Sequence, residues 1–138
     1  MTPDAVYDTN VVVSAILKPG SIPASLVALA MEGSVRLVLS PEILQEYRQV
    51  LKRPRFGFET SAVETFLQDI EKVAIMVYPT KRLDCAPDES DNRFLECAKK
   101  AKAHYLVTGN QKHFPFPEFK GTKIVSPAEL AARLLPGS

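Results

Sequence analysis

Short apolar runs alternate along this chain with longer stretches whose apolar residues recur at three- and four-residue spacing. The first run, AVYD, ends at Tyr7 or Asp8, and NVVVSAIL follows with no turn signal between them. A helix is predicted from Asn10, and strand continuation through the β-branched Val11, Val12 and Val13 is its rival. KPGSIP reads as a loop and ASLVALAMEG as a helix closed at Gly33. VRLVLS reads as a strand. SPEILQEYRQVL reads as a helix with Ser40 at the N-cap and Pro41 at its first position.

KRPRFGF breaks the pattern, and SAVETFLQDIEKV resumes helical periodicity with Ser61 and Glu64 in capping-box spacing. AIMVYP is a further strand, and Pro79 to Ser90 a polar loop. DNRFLECAKKAKA is helical, HYLVTG a strand, and NQKHFPFPEFKGT an irregular, proline-interrupted connection. KIVS is the last strand, and SPAELAARLL a closing helix with Ser126 and Glu129 in capping-box register. The resemblance of VLSPEIL to IVSPAEL reflects a strand entering a capped helix, with no repeat array behind it. Strands alternating with helices imply an α/β chain with a parallel sheet covered on both faces. Ligands of such sheets bind outside the carboxyl ends of the strands.

With 138 residues, 46% hydrophobic and 24% charged, the chain has the composition of a globular protein and is expected to form one domain over residues 1–138. No apolar run is long enough to span a bilayer, and the acids Asp4 and Asp8 precede VVVSAIL where a signal peptide carries basic residues, so a cytoplasmic, membrane-free location is expected. Two cysteines, Cys85 and Cys97, are too few for a disulfide scaffold and read as free thiols. A formal charge of +1 argues against gripping nucleic acid by net charge, yet leaves room for a local basic rim beside a metal.

Four polar positions fall at the predicted ligand edge. Asp8 ends the first strand, Asn110 follows YLVT, Asp91 opens the helix that feeds that strand, and Glu46 borders the buried stripe of its helix. Each has a plainer reading. Asp8 and Asp91 suit N-caps, Glu46 suits solvent or a pair with Arg48 or Arg53, and Asp88 and Glu89 suit a solvated loop. If the acids converge, they need a cation or a shared proton, because ionised carboxylates repel at short range. Oxygen donors favour Mg²⁺ or Mn²⁺, and neither the cysteines nor His104 and His113 show zinc-ligand spacing. A carboxylate-bound Mg²⁺ site points to phosphoryl chemistry.

VYDTNVVVSAIL, SPEILQEYRQVL, DESDNRFLECA and YLVTGNQKHF occur in this order across nearly the whole chain. Together they resemble the PIN domain, particularly the VapC-like PIN-type toxins of bacterial toxin–antitoxin pairs. The resemblance implies a three-layer α/β/α sandwich with a central, mainly parallel sheet, and an acidic edge that binds Mg²⁺ or Mn²⁺ for RNA cleavage. Asp8, Glu46 and Asp91 match the three metal-binding, catalytic acids. Thr9 and Asn10 match the polar positions after the first acid, and Thr108 the hydroxyl residue before Gly109. Many relatives carry TGD where this chain has TGN, so Asn110 stands as a neutral auxiliary ligand and a second metal is less well neutralised. The implied reaction is hydrolysis of an RNA phosphodiester by metal-bound water, with no side chain standing out as an independent general base.

Arg53, Arg93 and Lys112 are candidate substrate-binding cations, with Lys52, Arg55 and His113 beside them and Phe56, Phe58, Phe114 and Phe116 as stacking surfaces. A solvated charged surface and packed aromatics are the plainer reading, and Lys99, Lys100 and Lys102 read as an exposed helix face. The resemblance also implies a homodimer and a cognate antitoxin partner, with FPFPEF and ASLVALAM as candidate association segments. A nuclease-dead PIN-like module that binds RNA or a partner is the rival reading, motivated by Asn110. A receiver-like phosphoacceptor domain ranks last, because no separate phosphoacceptor constellation accompanies Asp8.

Overall fold

The computed structural model describes residues 2–134. Leu135, the last residue of the predicted closing helix, lies outside the described residues. Six strands form one sheet: β1 (Asp4–Tyr7), β2 (Arg36–Leu39), β3 (Ile75–Met76), β4 (Tyr105–Val107), β5 (Glu118–Phe119) and β6 (Thr122–Val125), in the order β3-β2-β1-β4-β6-β5. All neighbours are parallel except β5 and β6. The helices are α1 (Thr9–Leu17), α2 (Ile22–Met31), α3 (Pro41–Leu51), α4 (Thr60–Val73), α5 (Asn92–Ala101) and α6 (Pro127–Leu134).

Ala5, Val6 and Tyr7 are buried in succession, which requires cover on both faces of β1 because side chains alternate along a strand. The Tyr7 hydroxyl donates to the Leu26 carbonyl of α2 at 2.9 Å, so α2 lies on the Tyr7 face. α2 packs with α1, α4 and α6, whereas α5 packs on β1, β2 and β4. The result is the expected three-layer α/β/α sandwich. Fully buried Tyr7, Tyr47, Phe94 and Leu106 anchor it, each contributing about 1.5–3 kcal/mol of burial.

The ambiguity after β1 resolves to helix. Asp8 N–H still donates to Val107 O at 2.8 Å as β1 ends, and Val11 N–H then donates back to Asp8 O at 3.0 Å. Burial of Val11, Val12 and Val13 against the core overrides their β-propensity. α2 starts earlier than predicted, at Ile22, because the Ser21 hydroxyl accepts from Ala24 N–H at 3.3 Å and Pro23 fits the first turn. Gly33, at φ +86°, ends it as expected.

Two expectations are corrected. Ser61 and Glu64 form no capping box: α4 begins at Thr60 with Glu59 at the N-cap and no side-chain cap, and Glu64 turns to Arg48 at 3.0 Å and Lys52 at 2.6 Å. With Glu59 at the N-cap, Ser61 already lies inside the first turn and cannot close the box, which leaves Glu64 free to pair with α3. By contrast, Ser126 and Glu129 make the reciprocal pair, each bond 3.1 Å. The connection after β4 is not wholly irregular, since its end contributes β5, antiparallel to β6. Lys120 at φ +50° and Gly121 at φ +89° form the tight turn, a left-handed pair that matches the twist of a two-residue hairpin. Two-residue β5, preceded by Pro117, carries too little alternation to be seen in sequence.

No single helix among the described residues is long and apolar enough to cross a bilayer. α1 and α2 together match by length and composition but meet at 105°. Cys85 and Cys97 are free, the first exposed and the second buried.

Candidate metal centre

The β1 and β4 ladder delivers Asp8 and Thr108 side by side at the carboxyl edge of the sheet. Asp8 sits at the N-cap position of α1, yet its carboxylate makes no cap bond. Its Oδ2 instead accepts from the Thr108 hydroxyl at 2.7 Å and from Asn10 Nδ2 at 3.2 Å. Asn10 Oδ1 accepts from Gly109 N–H at 3.0 Å, so one amide ties the start of α1 to the turn after β4.

Asp91 arrives from the opposite side, at the end of a 3₁₀ turn over Glu89–Asp91 that runs into α5. It makes no cap bond either. Asp88 caps that turn, accepting from Ser90 N–H at 3.1 Å and from its hydroxyl at 2.9 Å. The polar loop before it is organised by two buried side chains of α5. Asn92 Oδ1 accepts from Cys85 and Ala86 N–H at 2.9 Å each. Glu96 accepts from Leu83 N–H at 2.8 Å, Arg93 at 2.6 Å and Arg82 at 3.3 Å. Asp91 therefore stands on a clamped support.

The third participant is His113, in the 3₁₀ turn Gln111–His113 after β4. Its Nδ1 lies 3.6 Å from Asp8 Oδ2 and 3.7 Å from Asp91 Oδ2. Nδ1 and Asp91 Oδ2 are buried and have no hydrogen-bond partner among the described residues. Ligand atoms of Asp8, Asp91 and His113 all lie within 4.8 Å of one another. Two carboxylates and an imidazole, two of their facing atoms orphaned, form a donor set that fits a divalent cation.

Electrostatics agree. Burial raises the Asp8 pKa, against the lowering effect of the Thr108 hydroxyl and His113. Asp91 is pushed up to about 7 by burial and then by the Asp8 charge, with His113 opposing. Half-buried Glu46 is raised by burial and by Asp8 and Asp88, while the Thr9 hydroxyl it accepts from, and more distantly Arg53, lower it. Carboxylates held above their ordinary range beside one another are poised for a cation that favours their ionised forms.

Of the residues named from sequence, Asp8, Asp91, Asn10 and Thr108 come together, with Glu46 alongside through Thr9. Glu46 does not pair with Arg48, which goes to Glu64 and Gln45. Asn110 is exposed, and its amide is committed: Oδ1 accepts from Lys112 N–H at 3.2 Å and Nδ2 lies 3.1 Å from His113 Nε2. Arg93 is held by Glu89 at 2.9 Å and Glu96 at 2.6 Å. Arg53 and Lys112 are exposed at the margin. From sequence alone, His113 is set aside as a zinc ligand and kept beside the phosphate-facing cations, and Asn92 and Glu96 are left out. The three-residue step from Asn110 to His113, and the helical step from Asn92 to Glu96, were the available signals.

Three comparisons bear on this geometry. An uncharacterized protein of Methanocaldococcus jannaschii is 30% identical over 110 residues, covering 77% of this chain and 70% of that protein. The crystal structure of VapBC2 from Rickettsia felis, bound to a DNA fragment from its promoter, includes a chain with TM-score 0.62 and 15% identity, covering 89% of this chain and 98% of that one. That likeness is one of fold. The PIN domain model matches residues 4–112, and the chain belongs to the PIN domain family.

Proposed function

We propose that this chain is a metal-dependent endoribonuclease that hydrolyses RNA phosphodiester bonds, and that it is the toxin of a type II toxin–antitoxin pair. The observation that carries the reading is the apposition of buried Asp8 and Asp91 with Asp91 Oδ2 left unpartnered. Membership of the PIN family and the fold shared with a protein of a VapBC complex support it. Asp8 and Asp91 hold Mg²⁺ or Mn²⁺, with Glu46 close by. The bound ion supplies Lewis-acid stabilisation of the charge that builds on the phosphodiester during hydrolysis. Thr108 and Asn10 fix the Asp8 carboxylate, Thr9 fixes Glu46, and the Asn92 and Glu96 clamps hold the Asp91 turn. Arg53 and Lys112 border the edge as cations for RNA phosphates. A homodimer in a cytoplasmic complex with an antitoxin completes the reading.

Purified protein incubated with single-stranded and structured RNAs in Mn²⁺, Mg²⁺ or chelator, beside Asp8→Asn, tests it. Cleavage in metal that disappears in chelator and in the variant is the expected result. Neutral Asn110 in the place of a fourth acid favours one second reading, a nuclease-dead module. RNA binding with no turnover in either metal selects that alternative.

A further inference from the structure

We infer that His113 is a metal ligand through Nδ1, that its imidazole tilts the centre away from Mg²⁺ towards a first-row transition ion such as Mn²⁺, and that Asn110 is a positioning residue for the ring. The inference rests on the metal-dependent reading above and specifies the ion that the site selects.

Geometry supplies the first reason. In an octahedral site with bonds of about 2.1 Å, adjacent donors are about 3.0 Å apart and opposite donors about 4.2 Å apart. His113 Nδ1 stands 3.6 and 3.7 Å from the two carboxylate oxygens, between those limits and too far for good hydrogen bonds. A small inward shift brings all three donors onto one ion. Among the described residues no hydrogen bond satisfies buried Nδ1.

Chemistry supplies the second. Mg²⁺ is a hard ion that takes oxygen donors and dehydrates reluctantly, whereas the first-row divalent ions accept imidazole more readily, Mn²⁺ the least of them and the later ions increasingly so. Asn110 brings no charge to this end of the site, and His113, three residues on, offers a nitrogen to the two carboxylates. That donor set suits Mn²⁺ better than Mg²⁺.

Asn110 decides how the ring is presented. Its Nδ2 lies 3.1 Å from His113 Nε2, so the amide faces the ring nitrogen that points away from the two acids. For Nδ1 to ligate, the ring proton would sit on Nε2, and the Asn110 amide, its oxygen turned to that N–H, would hold the ring in the ligating orientation and leave the exposed Lys112 N–H to water. Ligating imidazoles generally owe their orientation to such a partner on the other nitrogen.

The test uses the full chain with Mn²⁺ alone and Mg²⁺ alone. Electron spin-echo envelope modulation of the Mn²⁺-loaded protein should show coupling to a histidine nitrogen, confirmed by ¹⁵N-histidine labelling. The signal is attributable because the other of the two histidines, His104, immediately precedes β4 at the amino end of the strands, where its Nδ1 accepts from Asp4 N–H at 3.0 Å. Calorimetry should show Mn²⁺ affinity falling about tenfold or more in His113→Ala and about tenfold in Asn110→Ala. Mg²⁺ affinity should change less than about threefold in either variant, and the nitrogen coupling should vanish in the first and weaken in the second. Tight Mn²⁺ binding with no nitrogen coupling in the unmodified protein overturns the inference while leaving the nuclease reading intact. An unchanged Mn²⁺-to-Mg²⁺ preference in His113→Ala, with Asp8→Asn abolishing both, does the same. Failure of the unmodified protein to bind either ion overturns both.

Discussion

The Thr108 hydroxyl donates to Asp8 Oδ2 at 2.7 Å, and that same oxygen faces His113 Nδ1 at 3.6 Å. One residue of the β4 end thus fixes which carboxylate oxygen of the β1 end looks into the centre. Thr108→Val keeps the shape and removes the donor. The buried Asp8 oxygen then loses its shortest bond, and the chain should lose about 1–3 kcal/mol of stability in chelator. Urea unfolding measures this. Metal should restore most of the loss, since it supplies the missing partner. Equal destabilisation with and without metal would count against a cation at Asp8.

The pH dependence of metal-free stability follows from Asp91. Its pKa is about 7 in the folded chain against an ordinary 3.8, so between those values the folded state retains a proton that the unfolded chain has released. The contribution of Asp91 to stability is therefore fully present below the lower value and is lost as pH rises through about 7. Asp8 and Glu46 are shifted the same way and steepen the trend. Thermal melts in chelator at intervals from pH 4 to pH 8 should show a falling Tm. Adding Mn²⁺ should help most at the alkaline end, where the carboxylates are ionised.

Asp91→Asn should separate function from stability. Removing one of two facing carboxylates relieves repulsion, so the variant should melt higher than the unmodified chain in chelator at pH 8. It should also lose the metal-induced rise in Tm and at least about tenfold in RNA cleavage. A variant that melts lower in chelator, with metal response retained, would show that Asp91 is a structural acid.

Arginines 53 and 93 should part ways. Arg53 is exposed, so Arg53→Ala should leave the melting temperature nearly unchanged, weaken RNA binding across sequences and reduce the salt slope by about one. Arg93→Ala strips the buried Glu96 of a 2.6 Å partner and should cost about 3 kcal/mol of stability. Filter binding over a salt series, run beside denaturant melts, distinguishes the two roles. A salt slope unchanged in Arg53→Ala removes that residue from the RNA surface.

Asn92→Ala tests the support beneath the centre. It orphans the N–H groups of Cys85 and Ala86, the latter buried, at a cost of about 1–3 kcal/mol. Because the same loop delivers Asp91, metal affinity should drop about tenfold although the Asn92 side chain bonds to none of the metal-holding residues. Unaltered metal affinity in a destabilised variant would mean that Asp91 is held by other contacts.

The order of strands and helices was written in local pattern. Apolar runs, Ser40 and Ser126 at helix starts and Gly33 at a helix end are signals that act within a few residues, so they survive without knowledge of the fold. The alternation of elements and the ordered motifs made one shared edge for Asp8, Glu46 and Asp91 an expectation, without establishing that they meet. Tertiary structure decided the rest. Val11 to Val13 are helical because the core covers them, β5 exists because β6 offers it a ladder, and Glu64 abandons a local cap for cations on α3. His113 joins Asp8 and Asp91 only where the turn after β4 folds back over the sheet edge. Asn92 and Glu96 matter only because a loop with no pattern of its own needs their oxygens. Burial and long-range hydrogen bonding depend on which distant residues arrive at the same place, and no spacing within the chain encodes that arrival.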